Sequence, residues 1–177
     1  MKVAVVLQPT ERMHYYMSAS RQRPHDHMAN TYSHCYYHIV FSTKNRFDFI
    51  NSDIEERVWA YIGGVARQHG MVPIQIGGID NHIHALTSSG PSIAPSKIAQ
   101  LLKGGSSHWI HNEFQSMKNF AWQDGFGVFT VCKSHADKVV QYIKNQRQHH
   151  QKQSFEDEFR ELLRLHEIEY DERYLFG

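Results

Sequence analysis

The stretch that decides the fold is residues 77–86, Gly-Gly-Ile-Asp-Asn-His-Ile-His-Ala-Leu, in which one apolar residue separates two histidines. Side chains of a β-strand alternate between its faces, so His82 and His84 would point the same way, about 7 Å apart, while Ile83 enters a core. Two imidazoles in that arrangement could share one metal ion. An isolated pair is more often made of surface or core histidines, so the rest of the chain has to distinguish these alternatives.

The size and composition of the chain indicate one globular domain. Its 177 residues can bury a core without staples, and 41% of them are hydrophobic. Cys35 and Cys132 form no motif with each other, which suggests a reducing compartment. No apolar run is long enough to span a bilayer, so we expect a cytoplasmic protein without a membrane partner.

The net charge of +1 is unevenly distributed along the chain. Residues 154–177 contain three Lys/Arg and eight Asp/Glu, which leaves a basic excess in residues 1–153. A basic body is compatible with an anionic partner. Residues 1–30 are basic and lack a hydrophobic period, so we expect a disordered tail there and a domain over residues 31–177. Met28 precedes the first strong strand signal, and our hypothesis is that it is the natural start.

Hydrophobic periodicity and turn residues predict alternating strands and helices on both sides of the histidines. In chain order, the predicted elements are a strand over 32–43, a helix over 52–70 with a Ser52/Glu55 capping box, strands over 72–79 and 81–88, a helix over 96–114, and a hairpin that pairs 120–123 with 126–133. This β-α-β-β-α-β order is that of a ferredoxin-like split βαβ sheet in the α+β class, whose first and third strands are central. The histidine pair would then lie on a central, rigid strand, as a site requires.

Two further helices are predicted after the sheet. Ser134 would cap a helix over 135–151, and Ser154 would cap a last, acidic helix over 155–166. In the middle of the second predicted helix, Gly104-Gly105 suggests a close approach, either by a packed neighbour or by a ligand backbone.

The third predicted helix carries residues that could complete a site. Tyr142 and Gln146 stand four residues apart and therefore share one face. With the imidazoles of His82 and His84, the Gln146 amide oxygen would give a divalent ion three ligands and leave positions open for a phosphate oxygen and water. Such an ion polarises a phosphoryl group, and the Tyr142 hydroxyl is a candidate nucleophile that would form a phosphotyrosine.

Each of these residues also has a structural interpretation. Tyr142 could be an interface tyrosine, and Gln146 a solvated helix residue. His149 and His150 could extend the site, but we expect them to be exposed at the helix end. Trp109 and Trp122 could stack bases, although core packing is the better interpretation. Six basic residues could contact phosphates or be solvated charges: Lys44, Arg46, Lys97, Lys103, Lys144 and Arg147.

Several motifs in a fixed order extend this pattern. They are 37–44 (YHIVFSTK), 76–78 (IGG), 81–84 (NHIH), 103–110 (KGGSSHWI), 122–127 (WQDGFG), 142–146 (YIKNQ) and 170–175 (YDERYL). Together they make the chain resemble the single-tyrosine HUH transposases of insertion sequences that move as single-stranded DNA, and their REP-associated relatives. HUH denotes His, an apolar residue and His, which His82-Ile83-His84 matches. The resemblance covers residues 31–176.

The resemblance implies an enzyme that nicks and joins single-stranded DNA. Tyr142 would be the nucleophile, bonding to the 5′ phosphate and freeing a 3′ hydroxyl, while His82, His84 and Gln146 would hold Mg²⁺ or Mn²⁺. The implied partners are DNA with foldback hairpins and a second copy of the chain, since relatives are homodimers in which the tyrosine helix of one subunit often completes the site of the other. The implied location is the nucleoid of a prokaryote. Our candidates for DNA contacts are Lys44, Arg46, Lys103, Lys144 and Arg147.

Three positions depart from the family pattern. Asn81 stands where many relatives have Asp, which leaves open what orients His82. Gly104-Gly105 stands where Gly-Asn is frequent, and Glu167 stands where Gly would end the last helix. None of these departures removes a proposed ligand or the nucleophile.

Two other functions use the same residues. One is a domesticated protein that binds single-stranded DNA hairpins and cleaves them weakly. The other is a Zn²⁺ hydrolase built on the same histidines. The hydrolase fits poorly, because no third histidine or carboxylate stands at metal spacing and no general base is evident.

Overall fold

A four-stranded antiparallel sheet forms the centre of the described part of the chain. The computed structural model describes residues 32–176; the predicted tail over residues 1–30 and the start proposed at Met28 lie outside them. The strands are β1 (Cys35–Ser42), β2 (Val72–Ile79), β3 (His82–Ser89) and β4 (Gly127–Val131). Their order across the sheet is β2-β3-β1-β4, so the first and third strands are central, as predicted for a ferredoxin-like fold.

Alternation of side chains on β1 and β3 gives the sheet two chemically different faces. Ile39 of β1 and Ile83 of β3 are fully buried on one face. The helices α1 (Glu55–Gln68) and α2 (Pro95–Glu113) cover this face and complete the main apolar core. His82 and His84 are also fully buried but point to the opposite face. The period-two interpretation of the histidine stretch is therefore confirmed.

The histidine face is covered by three shorter helices, α3 (Ala136–Lys144), α4 (Gln146–His149) and α5 (Phe155–Leu165). Two small apolar clusters hold them on the sheet. Leu86 packs with Ile143 beneath α3, whereas Val40 packs with Phe159 beneath α5. Buried polar side chains fill the space between these two clusters, and they include both histidines.

Two glycines let these helices lie close to the sheet. A Cβ at Gly77 of β2 would be 3.0 Å from Ile143 Cγ2 of α3, and a Cβ at Gly127 of β4 would be 2.8 Å from Phe159 Cε2 of α5. Real carbon contacts at such distances are very rare, so a larger residue at either position would push the helix outward.

The glycine pair of α2 is divided between two environments. A Cβ at Gly105 would lie 3.0 Å from Val65 Cγ2 of α1, whereas Gly104 faces open space. The close approach predicted here is therefore made by a packed neighbouring helix, and only at Gly105.

The capping box predicted for Ser52 and Glu55 is wrong. The first helix begins only at Glu55, and no side chain caps it. The turn before this helix begins at Asn51, one residue before the predicted cap Ser52. The Asn51 carbonyl accepts hydrogen bonds from the backbone N–H groups of Ile54 and Glu55, at 3.2 and 3.0 Å. The predicted end of this helix is confirmed, since it stops at Gln68 and Gly70 adopts a left-handed φ of +73°.

The hairpin predicted for residues 120–123 and 126–133 is also wrong. Residues 120–123 follow the end of β1 instead: the Lys44 N–H donates to the Ala121 carbonyl at 2.8 Å, and the Gln123 N–H donates to the Ser42 carbonyl at 2.9 Å. Phe120 is 2% exposed, so the core captures a segment whose turn residues favoured a hairpin. Only β4, from Gly127, pairs with the sheet as a strand.

The third predicted helix is divided into two pieces. Ser134 does not cap it, because a 3₁₀ turn over Lys133–His135 comes first. The helix then breaks at Asn145, whose φ and ψ are −96° and 16°. Gln146 follows the break and is 1% exposed, so its amide is directed into the protein.

The start of the last helix is confirmed. The Ser154 hydroxyl accepts a hydrogen bond from the Asp157 backbone N–H at 3.1 Å and so caps α5. Within residues 32–176, no helix has the length and apolar character needed to cross a membrane.

Candidate metal and nucleophile site

The two histidines of β3 are held by different partners. Asn81 Oδ1 lies 2.9 Å from His82 Nδ1 and accepts its hydrogen, while Asn81 Nδ2 donates to Asp48 Oδ1 at 2.9 Å. This leaves His82 Nε2 with a lone pair that faces the covering helices. Asn81 stands where many relatives have Asp, but its amide oxygen orients His82 as a carboxylate would.

The second histidine of the pair contacts a histidine of the neighbouring strand. His84 Nδ1 lies 2.9 Å from His38 Nε2, so one of these two atoms donates to the other. His84 Nε2 is buried and makes no hydrogen bond among the described residues, although Glu158 Oε2 is 3.3 Å away. His38 lies in the motif over residues 37–44, but no role in the site was predicted for it.

Burial keeps the imidazoles of His82 and His38 neutral. Burial, followed by the neighbouring His84, lowers the pKa of His82 to about 3. The same two causes lower the pKa of His38 well below its ordinary value. A neutral imidazole is the form that binds a metal ion.

The helices α3 and α4 direct Tyr142 and Gln146 toward the histidines. Gln146 Oε1 lies 3.1 Å from His82 Nε2, and the ring centre of Tyr142 is 5.6 Å from that of His84. Gln146 Nε2 donates to Glu158 Oε1 at 2.9 Å, which fixes the amide so that its oxygen faces His82. The structure therefore brings together the four residues that the sequence selected, all within one chain.

Glu158 of α5 occupies the centre of this cluster. Its Oε1 accepts hydrogen bonds from the Tyr142 hydroxyl and from Gln146, and the carboxylate is 2% exposed. Burial favours the neutral acid, but His84 and the hydrogen bond from His150 outweigh it and lower the pKa of Glu158. Burial, and then the negative charge of Glu158, raise the pKa of Tyr142, so the phenol is protonated at rest.

Sequence reasoning missed Glu158, although a signal was present. It lies in the apolar stripe of α5, next to Phe159 and one turn after Phe155, and all three side chains are buried. An acidic residue inside the buried stripe of an amphipathic helix needs partners, and the partners here are the site residues.

The exposure predicted for His150 is wrong. Its side chain is 6% exposed, with Nε2 3.0 Å from Gln146 Oε1 and 3.1 Å from Glu158 Oε2. The break at Asn145 turns α4 inward, which buries His150 as well as Gln146. Burial favours neutral His150, but its interactions with Glu158 outweigh this and raise its pKa. His149 is half-buried, with its Nε2 3.7 Å from Glu158 Oε1.

The expectation that no third histidine or carboxylate could reach a metal is therefore wrong. His82, His150 and Glu158 offer ligand atoms that all lie within 4.8 Å of one another. Spacing along the sequence could not show this, because the three residues belong to different elements of secondary structure.

The number of available protons supports a cation at this position. Neutral His82 carries one N–H, yet both of its nitrogens face oxygens that can only accept, Oδ1 of Asn81 and Oε1 of Gln146. One of these contacts is therefore repulsive unless a cation lies between the two atoms. Together with the unbonded His84 Nε2, this arrangement fits a divalent metal ion.

The five candidate DNA-contacting residues have different surroundings. Lys103 donates to the carbonyls of Gln123, Asp124 and Gly125, and its pKa is lowered by burial. Arg46 pairs with Glu156, and Arg147 pairs with Glu55 and Asp80. Lys44 and Lys144 are exposed. The structure thus leaves only the last two without a carboxylate or carbonyl partner among the described residues.

The two tryptophans pack against the protein itself. Trp122 is buried and donates its indole N–H to Ser106 Oγ at 3.0 Å. Trp109 stacks on Tyr61 with ring centres 4.4 Å apart. These contacts agree with core packing, the interpretation that the sequence favoured.

A cavity of about 610 Å³ opens beside Tyr142. Its walls are formed by β4, α3 and α5, with apolar side chains such as Phe129 and Leu162 and polar ones such as Lys138 and His135. The nucleophile candidate is therefore reachable from this side by a molecule larger than water.

Known proteins similar to this chain are transposases. The family described as "Transposase IS200 like" matches residues 31–146. The chain is 29% identical over 124 residues to the transposase for insertion sequence element IS200 of Salmonella typhimurium, and the alignment covers 67% of this chain and 81% of that protein. His82, His84, Tyr142 and Gln146 lie within the family match, whereas His150 and Glu158 lie beyond it.

Two solved structures share the fold. A candidate transposase from Deinococcus radiodurans R1 matches with a TM-score of 0.57 at 20% identity, over 69% of this chain and 98% of that chain. The structure of a REP-associated tyrosine transposase bound to a REP hairpin matches with a TM-score of 0.52 at 16% identity, over 71% of this chain and 74% of that chain.

Proposed function

Because the chain belongs to the family of IS200-like transposases, we propose that it cleaves and rejoins single-stranded DNA through Tyr142 with the help of a divalent metal ion. The observation that carries this proposal is the meeting of nucleophile and metal-binding atoms in one buried cluster. The Tyr142 hydroxyl donates to one oxygen of Glu158, and the other oxygen is 3.3 Å from His84 Nε2. A phosphate held by the metal would lie next to this hydroxyl.

The metal site of the proposal consists of His82, His84 and Gln146, with Mg²⁺ or Mn²⁺ as the ion. Nitrogen and amide-oxygen ligands leave positions open for a phosphate oxygen and water. When bound, the ion supplies polarisation of the phosphoryl group, which makes the phosphorus easier to attack. Asn81 and His38 keep the two imidazoles in orientation.

The covalent step exchanges one phosphate ester for another. The Tyr142 oxygen bonds to phosphorus, the bond to the 3′ oxygen breaks, and the 5′ phosphate remains on the tyrosine. The phenolic proton passes to Glu158 Oε1, which already accepts a hydrogen bond from it, and the departing 3′ oxygen takes up a proton from solvent. Attack by a 3′ hydroxyl on the phosphotyrosine reverses the step and rejoins the strand.

The proposed partner is single-stranded DNA that folds back into hairpins, met at the nucleoid in the cytoplasm of a prokaryote. The cavity beside Tyr142 would admit the strand, and Lys44, Arg46, Lys103, Lys144 and Arg147 are the proposed phosphate contacts. The proposed assembly is a homodimer of a domain over residues 31–177, with residues 1–30 as a tail.

Incubation of the protein with labelled single-stranded hairpin DNA and Mn²⁺ tests this function. We expect a covalent adduct on denaturing gels that disappears in Tyr142→Phe. Tight DNA binding without an adduct would instead support the domesticated binder, for which the hydrogen bond that holds Tyr142 on Glu158 is the favouring observation. Stoichiometric zinc that survives dialysis would revive the hydrolase.

A further inference from the structure

Three imidazole nitrogens converge on one carboxylate oxygen of α5. Glu158 Oε2 lies 3.1 Å from Nε2 of His150, 3.3 Å from Nε2 of His84 and 3.7 Å from Nε2 of His82. The imidazoles come from two different elements, and all three are directed away from the solvent. A carboxylate in such surroundings either accepts hydrogen bonds from all of them or shares a cation with them.

The available hydrogens do not allow three hydrogen bonds to this oxygen. His82 gives its one N–H to Asn81, and His84 Nε2 makes no hydrogen bond among the described residues. His150 gives its Nδ1–H to the Gln153 carbonyl, so its Nε2, 3.1 Å from Oε2, can donate there only when the ring is protonated. The lone pair of His82 Nε2 therefore faces an anionic oxygen 3.7 Å away, which is favourable only with a positive ion between the two atoms.

The spacing of these atoms suits a metal ion. Ligand atoms about 2.1 Å from an ion lie about 3.0 to 3.4 Å from each other in octahedral or tetrahedral coordination. The separation of His84 Nε2 and Glu158 Oε2 falls in this range, and that of His82 Nε2 and Gln146 Oε1 does too. Each of these two pairs thus has the separation of neighbouring ligands of one ion.

The charge of a divalent ion is a further reason to expect a carboxylate among its ligands. Two neutral imidazoles and an amide would leave the charge of a buried divalent ion uncompensated by the protein. Glu158 is the carboxylate at this position, and it occupies a helix stripe that is otherwise apolar. A buried carboxylate is costly unless it is paired.

We propose that Glu158 is itself a ligand of the metal ion, together with His82, His84 and Gln146, so that α5 forms part of the metal centre. This inference rests on the proposed function for the ion, and it adds a residue beyond the part of the chain that the family match covers. The free chain would then hold its metal before DNA arrives.

Metal binding by the full chain in the absence of DNA tests the proposal. Free Mn²⁺ is measured by electron paramagnetic resonance in titrations of the wild type, Glu158→Gln, His82→Ala and Glu161→Gln. Glu161 is an exposed carboxylate one turn further along α5 and serves as the matched control. We expect Glu158→Gln to weaken binding at least tenfold, His82→Ala to abolish it, and Glu161→Gln to leave it unchanged.

A second measurement and a second variant distinguish the loss of a metal ligand from the loss of the fold. Saturating Mn²⁺ should raise the melting temperature of the wild type and of Glu161→Gln, but raise that of Glu158→Gln far less. Glu158→Asp keeps the charge and withdraws the oxygens by one methylene, and it should also weaken Mn²⁺ binding. Wild-type affinity in either folded Glu158 variant, with binding lost in His82→Ala, overturns the role of Glu158 and leaves the histidine site standing. Absence of Mn²⁺ binding by the wild type overturns both.

Discussion

The two faces of the sheet differ in what holds them to their helices. Within residues 32–176, seventeen buried apolar residues join one face to α1 and α2, whereas nine, in two separate clusters, join the other face to α3 and α5. The larger core contains none of the candidate site residues. A site needs polar atoms between sheet and helix, and each of these takes the place of an apolar contact. The difference teaches that one face supplies most of the apolar packing, while the other holds the residues of the proposed site.

Removal of the proposed nucleophile is the most severe way to separate the proposed chemistry from stability. Tyr142→Phe should lower covalent adduct formation by more than about 1000-fold, because no other hydroxyl replaces the lost one. The variant should melt within a few degrees of the wild type, since the ring keeps its packing. Gel assays for the adduct and circular dichroism measure the two effects; an undiminished adduct would assign the nucleophile to another residue.

Mixed dimers test whether one chain contains all the residues of the proposed site. Tyr142 lies beside His84 of its own chain, so we expect mixed dimers of Tyr142→Phe and His82→Ala to be as inactive as either variant alone. Differently tagged subunits, co-expressed and purified through both tags, provide the sample, and wild-type subunits with the same tags provide the control. Restored cleavage would mean that the tyrosine helix completes the site of the partner, which is the arrangement that the resemblance implies.

Loss of the amide that orients His82 should weaken the site without destroying it. We expect Asn81→Ala to reduce Mn²⁺ affinity about tenfold or more, because the imidazole loses the acceptor that fixes its Nδ1 hydrogen. Asn81→Asp keeps an acceptor at the same place and should retain most of the affinity. Titration of both variants measures this effect, and wild-type affinity in Asn81→Ala would show that packing alone orients the ring.

Hydrogen exchange compares the two faces directly. Amides of α3 and α5 should exchange at least about tenfold faster than those of α1 and α2, since fewer apolar contacts oppose local opening. Saturating Mn²⁺ should slow exchange in α5 if Glu158 binds the ion, and it should leave α1 unchanged. Mass spectrometry of peptides from each helix measures the rates, and uniform exchange across both faces would contradict the comparison.

The glycine pair of α2 gives the smallest expected effect. Gly104→Ala should raise the free energy of unfolding by about 0.5 to 1 kcal/mol, because alanine favours a helix and open space surrounds this position. Gly105→Ala gains the same propensity but must displace Val65, so it should be about 1 kcal/mol less stable than Gly104→Ala. Urea denaturation measures both, and equal stabilities would show that α1 and α2 can separate at no cost.

The sheet could be predicted from the sequence because successive side chains of a strand belong to opposite faces, so the local pattern of residues identifies each face. Ile83 between His82 and His84 already shows which side of β3 meets the core, and the order of elements gives the strand order. Tyr142 and Gln146 could be selected because they stand four positions apart and so share one helix face. The resemblance to known transposases selected the same residues through the motifs that contain them. The match to the IS200-like family agrees with the resemblance.

The covering layer could not be predicted in the same way. The break at Asn145 and the burial of His150 depend on partners that are distant in sequence. Glu158 is one of eight acidic residues in the last 24, and composition marks them all as a solvated, acidic segment. Only the position of Glu158 within an apolar stripe distinguishes it, and the polar partners that explain its burial lie on other elements.

Gly77 and Gly127 have a consequence for genetics. Neither carries a functional group, yet α3 and α5 rest on the sheet at these two positions, and those helices carry Tyr142 and Glu158. Larger residues there would displace the helices from the histidines while the opposite core remained intact. A screen for inactive but well-expressed alleles would therefore recover these glycines alongside His82, and a catalogue of catalytic side chains would not explain why.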